Sequence, residues 1–592
     1  MVEQIVDRWA QALGGRERLG QVEAVYLRLK IEMGGLTGTL EEWCTAHGQH
    51  RQRFDLGGVY KTVIVFDRDR GWLMDQNGKV RELAGTELEA EVTATYSSSF
   101  SHLLAGRMPG RVEYLREEEA YDVLRLLPEG GRPLTCYLDQ EGGLPVKEEQ
   151  PEADRVRTTY LGDWREVDGI RVPFHLRQTT GDPRYDTILT VEEVRFNPPL
   201  EEDAFQKPSE AALDYRFLAG RSTLNIPFEL TSNHIYLQLR VNDSAPLWFL
   251  LDTGAAASVI DTGTAEALGL ELKGQLEGRG AGEGSTDVAF VTGASFSLPG
   301  VELHDQTIAA ISIAPLVPFE GRAIHGILGY DFASRFVLEI DYAAGLLHLY
   351  DPQAHSYAGP GEDLPITLED NVPYIQAGVL LPGREAVEGK FLVDTGARVA
   401  LVLNRPFVET HQLEPRKRIT APLGVGVGGE TKQHIGRVAE LRLGEVVVRD
   451  VVAGFSQDVR GGGADPECAG LIGGEVLRRF KAIFDYSDGR MILERNAHFE
   501  EPYEYDMSGL FLAAEGEAFD HFRVHRVVEG SPAAEAGLQE GDVIVALDGR
   551  TAAAFTLEQV RKRFAEAGRC ILLEVRRDGE ALQVELELRR LI

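Results

Sequence analysis

The sequence predicts a mainly β protein that is divided into several domains. Its 592 residues correspond to about three to five domains at the usual domain size. Glycine is abundant, with 64 residues, and glycine favours turns and strands over long helices. Helical patterns are few and short, and a repeat in the middle of the chain indicates two copies of one β-rich fold.

The charge of the chain excludes two classes of partner. The formal net charge is −33, whereas binding to nucleic acid requires clustered Lys and Arg against the phosphates. The same excess of acidic groups argues against binding to an anionic membrane surface. No apolar run reaches the ~18 residues of a membrane span. We expect no nucleic-acid partner, no integral membrane segment and a monomeric protein.

The first residues predict a helix rather than an export signal. Val2, Glu3 and Gln4 open a polar amphipathic segment, which is unlike the apolar core of a signal peptide. The helix is predicted over residues 2–13, because two glycines follow it. The protein is therefore either cytoplasmic or the mature form of an exported protein.

The cysteine and histidine patterns predict no metal and no cofactor. The four cysteines are far apart and form no C-x-x-C pair, so neither a zinc site nor a redox motif is supported. The sequence is compatible with a disulfide between Cys44 and Cys136 but does not establish one. The sequence also lacks H-E-x-x-H and G-x-S-x-G, which disfavours a metallopeptidase or a serine hydrolase.

Three kinds of landmark recur in the same order between about residues 222 and 497. Their spacing is nearly constant, which is hard to obtain by chance. Two similar lobes can pack about a pseudo-twofold axis and bring equivalent residues face to face. The landmarks are Phe-Leu-Leu/Val-Asp-Thr-Gly-Ala at 249–255 and 391–397, an apolar-apolar-Gly element at 326–329 and 470–473, and a glycine-rich stretch at 278–284 and 424–429.

The two aspartates of the repeat, Asp252 and Asp394, are the predicted catalytic residues. Each follows an apolar run that is typical of a buried strand, and the strand would deliver its carboxylate to the interface between the lobes. Two carboxylates held close together share a proton, because one pKa rises. The ionised member can act as general base on a water, and the protonated member can donate to the scissile carbonyl.

The next two residues of each motif are predicted to support the aspartates. The hydroxyls of Thr253 and Thr395 can bond to the backbone of the opposite lobe and fix the geometry. Gly254 and Gly396 allow a close approach and offer N–H donors to the carboxylates.

Together these motifs resemble the retropepsin-like aspartic peptidase family. The resemblance implies an aspartic-type endopeptidase that hydrolyses protein or peptide substrates, with two β-barrel lobes in one chain. It also implies that the glycine-rich stretches are substrate-covering flaps. Residues 274–300 contain no tyrosine, which favours the retropepsin branch over the pepsin branch. The predicted flap residues are Gly280, Gly282, Gly426 and Gly428.

One residue departs from the family pattern. Arg398 follows the second Asp-Thr-Gly-Ala, where the first lobe has Ala256. In the family this position borders the substrate cleft. We therefore predict that Arg398 binds substrate or lowers the pKa of the aspartate pair.

Two further motifs have structural interpretations. A third Asp-Thr-Gly, at residues 261–263, precedes a helical pattern, so its Asp or Thr is predicted to be an N-cap. The pattern Gly424-x-Gly426-x-x-Gly429 matches a dinucleotide fingerprint, which requires a helix directly after it. Residues 430–436 do not read as a helix, so we predict no nucleotide site.

The C-terminal residues resemble a PDZ domain of the kind found in bacterial proteases. The resemblance rests on Gly-Ser-Pro-Ala-Ala-Glu-Ala-Gly-Leu at 530–538 and Gly-Asp-Val-Ile-Val-Ala-Leu-Asp-Gly at 541–549. It implies that the loop containing Gly509, Leu510 and Phe511 captures a peptide C-terminus while the peptide adds as a strand. A helix at 557–567, with Thr556 as N-cap, is predicted to form the other wall of the groove.

The N-terminal residues resemble the curved-sheet half-barrel of periplasmic lipoprotein carriers. The resemblance rests on residues 163–173 and 196–205, and it implies an exported bacterial protein. Such a sheet could hold an apolar ligand or a peptide, or serve only as a scaffold.

The predicted domains are a half-barrel (1–210), two protease lobes (222–355 and 356–497) and a PDZ domain (503–592). The predicted function is that of an endopeptidase with PDZ-mediated peptide recognition. The alternative is a catalytically inactive envelope protein that binds peptides or lipophilic ligands. The location is predicted to be periplasmic or secreted, with a cytoplasmic protein as the alternative.

Overall fold

The computed structural model describes residues 1–422 and 424–592. Strands take up 49% of the chain and helices 13%, which confirms the mainly β prediction. The four cysteines carry free thiols, so the Cys44–Cys136 disulfide is not formed. Within the described residues, no helix combines the length and the apolar character that a membrane span needs.

The N-terminal region is one continuous antiparallel sheet of 13 strands, ordered β6-β5-β4-β3-β2-β1-β13-β12-β11-β10-β9-β8-β7. Its helices are α1 (Val2–Leu13), α2 (Arg16–Gly20) and α3 (Gly85–Ser98). Strands β1–β13 span Ala24–Met33, Leu36–Thr45, Gln49–Leu56, Tyr60–Asp67, Arg70–Met74, Val80–Glu82, Gly110–Glu118, Tyr121–Pro128, Leu134–Asp139, Pro145–Glu152, Arg155–Val167, Ile170–Thr179 and Thr187–Phe196.

The predicted first helix is confirmed as α1. Its apolar residues recur at intervals of three and four, so they form one stripe that faces the sheet. Ile5, Trp9 and Leu13 are buried on this stripe, in a core shared with Leu124 and Leu126 of β8. Helix α1 therefore covers part of one face of the sheet.

The first lobe contains β14–β25 and α4–α6. Its main sheet has the order β14-β22-β19-β23-β18-β17-β21-β20, with β16 paired to β17. The helices are α4 (Thr262–Ala267), α5 (Val317–Glu320) and α6 (Tyr330–Ala333). The strands span Tyr215–Phe217, Ser222–Pro227, Glu229–Thr231, His234–Val241, Leu247–Leu251, Val259–Asp261, Lys273–Gly278, Thr286–Leu298, Val301–Ile311, Gly326–Leu328, Val337–Asp341 and Leu346–Tyr350.

The second lobe repeats this arrangement with β26–β38, α7 (Arg405–His411) and α8 (Gly474–Leu477). Its main sheet has the order β27-β28-β29-β36-β30-β35-β34-β31, and β32 and β33 form a separate hairpin. The strands span Glu362–Pro365, Thr367–Glu369, Val372–Leu380, Val387–Asp394, Leu401–Leu403, Ile419–Ala421, Val425–Gly426, Gly429–Glu430, Gln433–Leu443, Val446–Ser456, Gly470–Gly473, Phe480–Asp485 and Arg490–Arg495.

A six-stranded sheet joins the two lobes, in the order β15-β25-β24-β37-β38-β26. At its centre β24 of the first lobe pairs antiparallel with β37 of the second, with Val337 opposite Asp485 and Asp341 opposite Lys481. Phe336 and Phe480 are both buried in one core that spans the lobes. The shared sheet and core hold the two copies in a fixed mutual orientation.

The C-terminal region is a six-stranded sheet with the helices α9 (Pro532–Glu535) and α10 (Leu557–Phe564). The predicted last helix is confirmed, and Thr556 caps it in a capping box with Gln559. β39 lies at the edge of the sheet, next to β40 alone. Strands β39–β44 span Leu510–Glu515, His521–Val527, Val543–Leu547, Arg550–Thr551, Cys570–Arg577 and Glu580–Glu587.

Candidate active site

The two predicted aspartates lie at equivalent strand ends in the two lobes. β18 carries the buried residues Phe249 and Leu251 and pairs in parallel with β23, after which the N–H of Asp252 donates to the carbonyl of Leu328 at 3.0 Å. In the second lobe β29 pairs in parallel with β36, and Asp394 lies opposite Gly473. The apolar-apolar-Gly elements thus form the strands behind both aspartates.

The two threonines link the lobes through four hydrogen bonds. The Thr253 hydroxyl donates to the carbonyl of Val393 at 2.7 Å and accepts the N–H of Thr395 at 3.0 Å. The Thr395 hydroxyl donates to the carbonyl of Leu251 at 2.8 Å and accepts the N–H of Thr253 at 3.0 Å. Both side chains are fully buried, so this network fixes the separation of the two motifs.

The two glycines allow each carboxyl group to lie against the opposite loop. A Cβ on Gly254 would come within 2.7–3.0 Å of the Asp394 carboxyl, and a Cβ on Gly396 would overlap the Asp252 carboxyl. Each glycine N–H also donates to the carboxylate of its own motif at 2.8 Å. Close approach therefore requires glycine at both positions.

The carboxyl groups of Asp252 and Asp394 are buried and close together, and the pKa of Asp394 is raised the more strongly of the two. Burial and the charge of Asp252 raise the pKa of Asp394 well above its usual value. Burial also raises the pKa of Asp252, but the neighbouring Asp394 carboxyl, the Gly254 N–H and the charge of His234 make this rise smaller. The pair thus favours an ionised Asp252 beside a protonated Asp394.

The two glycine-rich stretches meet each other at their tips. The N–H of Gly284 donates to the carbonyl of Gly428, and the N–H of Gly428 donates to the carbonyl of Ala281, both at 2.8 Å. Gly282 and Gly426 also make contacts so close that a Cβ would clash with the opposite tip. The predicted flap residues are therefore brought together, with Gly280 against the side chain of Val427.

The first flap is anchored to the N-terminal sheet. Arg279, at the base of this flap, forms two hydrogen bonds to Asp154 in the β10–β11 turn, at 2.7 and 3.0 Å. Asp154 also accepts the N–H of Gly461 at 2.7 Å. The neighbouring Arg155 pairs with Glu277 of β20 at 2.6 Å. The N-terminal region therefore contacts the flap directly.

We expect Asp154→Asn to lower the free energy of unfolding by about 1–3 kcal/mol. Burial raises the pKa of Asp154, but the bonds from Arg279 and Gly461 more than offset this, so the pKa lies below its usual value. The stabilisation is then complete above the ordinary carboxyl pKa and is lost as the pH falls through the depressed value. Urea unfolding at neutral and at acid pH measures it.

Asp163→Asn is the matched control, because Asp163 forms an exposed ion pair with Arg165 in the same sheet. Such surface pairs contribute only about 0–1 kcal/mol. Equal effects of the two substitutions at neutral pH would show that the Asp154 contact does not stabilise the fold.

The second flap is anchored to the C-terminal region. Glu430, in the β32–β33 hairpin, contacts Nε2 of His525 at 2.9 Å and Nε of Arg526 at 3.3 Å. Both partners belong to β40. Each flap thus has its own flanking region as a partner.

Arg398 lies in a cavity between the second lobe and the C-terminal region. The cavity has a volume of about 600 Å³, and the Arg398 guanidinium lies 5.9 Å from the centre of the Phe511 ring. Leu510 and Phe511 of the predicted peptide-binding loop line the same cavity. Gly509, with φ +80, lies so close to Ser531 that a Cβ would clash. That Arg398 binds substrate stays a prediction. The groups that chiefly set the pKa values of Asp252 and Asp394 are other residues.

The third Asp-Thr-Gly has the structural role that was predicted. Asp261 is the N-cap of α4 and accepts the N–H of Thr264 at 2.9 Å. Residues 429–443 continue as β33 and β34, so no helix follows the glycine fingerprint. Within the described part of the chain, no group of three or more His, Cys, Asp or Glu could hold a metal ion.

The sequence interpretation missed His234, which is buried beside Asp252. It lies in β17, where Ile235 pairs with Leu251, so His234 comes opposite Asp252. The histidines follow no motif, and the only available signal was the hairpin register of the strands before Asp252. The register cannot be derived from the sequence without knowing where the turn between β17 and β18 lies.

Family models match three segments of the chain. The aspartyl protease model matches residues 237–332 and again residues 381–476. The PDZ domain model matches residues 523–577. A search of curated proteins gives no match.

Solved structures match the N-terminal region. One is a DUF1329 family protein from Desulfovibrio piger, which is 14% identical in sequence and has a TM-score of 0.27. The match covers 35% of this chain and 97% of that protein. Another is a LolA superfamily protein from Nitrosomonas europaea, which is 14% identical in sequence and has a TM-score of 0.26. The match covers 34% of this chain and 97% of that protein.

The two aspartyl protease matches coincide with the two copies of the repeat, and the PDZ match lies after them. The resemblances found in the sequence are thereby confirmed for both parts. The two lobes in the middle of this chain therefore each match the aspartyl protease family, and a segment that matches the PDZ domain follows them.

Proposed function

We propose that the protein is an aspartic endopeptidase in which Asp252 and Asp394 activate water. The observation that carries this proposal is the buried pair of carboxyl groups, held close together by the threonine network beneath two closed flaps. Such a pair needs no metal and no nucleophilic side chain for peptide hydrolysis.

The pKa values of the pair support distinct roles for the two residues. Asp252, the more readily ionised member, takes a proton from a water while the water oxygen bonds to the scissile carbonyl carbon. Asp394, the protonated member, donates a hydrogen bond to the carbonyl oxygen and stabilises the charge that develops there. The C–N bond then breaks, and the proton held by the pair passes to the leaving amine.

The closed flaps support a polypeptide substrate. The hydrogen bonds between Gly284, Gly428 and Ala281 must open before an extended chain can lie over the aspartates. The freed backbone groups of the flap tips can then bond to the backbone of the substrate, as adjacent strands do. Recognition of this kind depends little on side chains.

The PDZ domain supports capture of a peptide C-terminus. The edge strand β39 offers unpaired backbone groups to an added strand. The cavity beside it is lined by Leu510 and Leu512 of β39 and by Arg561 and Phe564 of α10. This surface combines apolar side chains with a cation, which suits an apolar last residue with a free carboxylate.

The proposal is tested by incubating the full chain with an unfolded protein substrate between pH 3 and pH 8. We expect cleavage that a peptide with a non-hydrolysable hydroxyl isostere blocks and that a chelator does not. Cleavage abolished by the chelator, or no cleavage at any pH, would contradict the proposal. The second result would favour the inactive binding protein, for which the envelope location is also predicted.

A further inference from the structure

Residues 316–322 of the first lobe connect the PDZ domain to the surroundings of Asp252. They contain the short helix α5 (Val317–Glu320) and Gly321, which ends the helix in a left-handed conformation. α5 belongs to the first lobe but packs against β39 of the PDZ domain. The segment therefore contacts both the first lobe and the PDZ domain.

On the PDZ side, the segment occupies part of the peptide groove. The ring of Phe319 stacks on Phe511 of β39, with centroids 5.5 Å apart. Gly321 lies between Leu557 of α10 and Ala514 of β39, and a Cβ would come within 2.7 Å of Leu557. Because β39 and α10 are the walls between which a ligand strand adds, an extended peptide would have to displace this segment.

Two cations hold the backbone of the segment in this place. Arg561 of α10 donates to the carbonyl of Phe319 at 2.7 Å, and Arg398 donates to the same carbonyl at 3.4 Å. Burial and the nearby Arg398 lower the pKa of Arg561 to about 9. A peptide carboxylate would meet both guanidinium groups and would be a stronger acceptor than the neutral carbonyl.

On the lobe side, the segment holds a buried histidine. Glu320 accepts a hydrogen bond from Nδ1 of His234 at 2.9 Å and from the Tyr236 hydroxyl at 2.8 Å. Burial raises the pKa of Glu320, but the charges of His234, Arg398 and Arg561 hold it below its usual value. The ionised Glu320 therefore fixes the orientation of the imidazole ring.

The strand register places His234 opposite Asp252. Since Ile235 pairs with Leu251, His234 and Asp252 are the next opposing pair and project from the same face of the sheet. Nε2 of His234 is buried and has no hydrogen-bond partner among residues 1–422 and 424–592. At the same register of the second lobe, Val372 lies opposite Asp394, since Tyr374 pairs with Leu392.

We propose that His234 is a positioning residue for Asp252, and that a peptide entering the PDZ groove acts on it by displacing Phe319 and Glu320. The ligand is an extended peptide with an apolar last residue and a free carboxylate. This inference rests on the proposed peptidase function of the aspartate pair. It makes the two lobes unequal, because the second lobe has Val372 at the register that His234 occupies in the first.

The direction of the effect follows from the charges around His234. A cation beside Asp252 stabilises the carboxylate, so its loss raises the pKa of Asp252 and less of the general base is ionised in acid. Displacement of Glu320 acts in the same direction, because it removes the hydrogen bond that fixes the His234 ring in its place. The groups that face this site are Glu320, Tyr236, Asp252, Arg322, Arg398 and Arg561.

The first arm of the test compares pH profiles of kcat/KM for the full chain, His234→Val and the control His304→Val. Valine is the residue that the second lobe has at this register, and His304 is an exposed histidine on β22. We expect the acid limb of His234→Val to move to higher pH, with about a three- to tenfold loss on that limb. An unchanged profile, or an equal loss at every pH, would overturn the positioning role.

The second arm adds a peptide with a free apolar C-terminus, and the same peptide amidated at its C-terminus as control. The free peptide should move the acid limb of the wild-type profile to higher pH and leave that of His234→Val in place. The amidated peptide should have little effect. Equal shifts in wild type and His234→Val would show that the peptide acts by another route.

A third measurement does not require activity. In Asp252→Asn, which cannot cleave the peptide by the proposed mechanism, the free peptide should increase hydrogen exchange at residues 316–322. Unchanged exchange there would overturn the link between the groove and the segment, whether or not the wild type cleaves. Absence of cleavage by wild type alone would instead contradict the proposed function.

Discussion

Asp252→Asn and Asp394→Asn are each expected to lower kcat/KM for peptide cleavage by about 10²–10⁴-fold, the usual contribution of general acid–base catalysis. An amide at position 252 cannot accept the proton of water, and an amide at position 394 has no acidic proton to stabilise the charge on the carbonyl oxygen or to share within the pair. Both substitutions keep the size of the side chain, so the fold should persist. Initial cleavage rates and circular dichroism of the purified variants measure the two properties.

The chain supplies a matched control for this prediction. Asp261 has the same Asp-Thr-Gly sequence, but its carboxylate caps α4. Asparagine is as good an N-cap as aspartate, so Asp261→Asn should keep the activity, and it should lower the stability only by the bond that Oδ1 accepts from the Ile313 N–H. Near-normal cleavage by either dyad variant would refute the assignment of the catalytic pair.

The second large effect is expected from the threonine network. Thr253→Val and Thr395→Val should each lower the free energy of unfolding of the lobes by about 2–4 kcal/mol, because each leaves a buried N–H and a buried carbonyl short of a partner. Cleavage should fall as well, since the network sets the separation of the carboxyl groups. Calorimetry of the lobe transition measures the first effect.

Two controls separate the hydrogen bonds from the bulk of the side chain. Thr253→Ser keeps the hydroxyl and should retain most of the stability. Thr95→Val removes an equally buried hydroxyl whose acceptor, the carbonyl of Glu91, lies within the same helix, and it should cost about 1 kcal/mol or less. A loss no larger at Thr253 than at Thr95 would contradict the special role of the network.

Much of the candidate site could be predicted because it is encoded locally and twice. The strand before Asp252, the motif itself and the apolar-apolar-Gly element all lie in short segments, and the repeat identified their partners around Asp394. The α4 cap at Asp261 was predictable for the same reason, since capping depends only on neighbouring residues.

The remaining features depend on how distant segments pack together. The contact of Asp154 with Arg279 and that of Glu430 with His525 join separate regions, and nothing in the local sequence indicates these partners. The environment of Arg398 was likewise hidden, because Phe511 is more than a hundred residues away in sequence. Such contacts follow from surface complementarity between folded units, which has no periodic signature.

The separate anchors of the two flaps have a consequence for evolution. In a symmetric homodimer one gene encodes both halves, so every substitution occurs twice and the flaps remain identical. With both lobes in one chain, a mutation at Arg279 leaves Glu430 unchanged, and each flap can acquire its own partner. Selection can then adjust the opening of one half of the cleft without altering the other, a freedom that a dimer of identical subunits does not have.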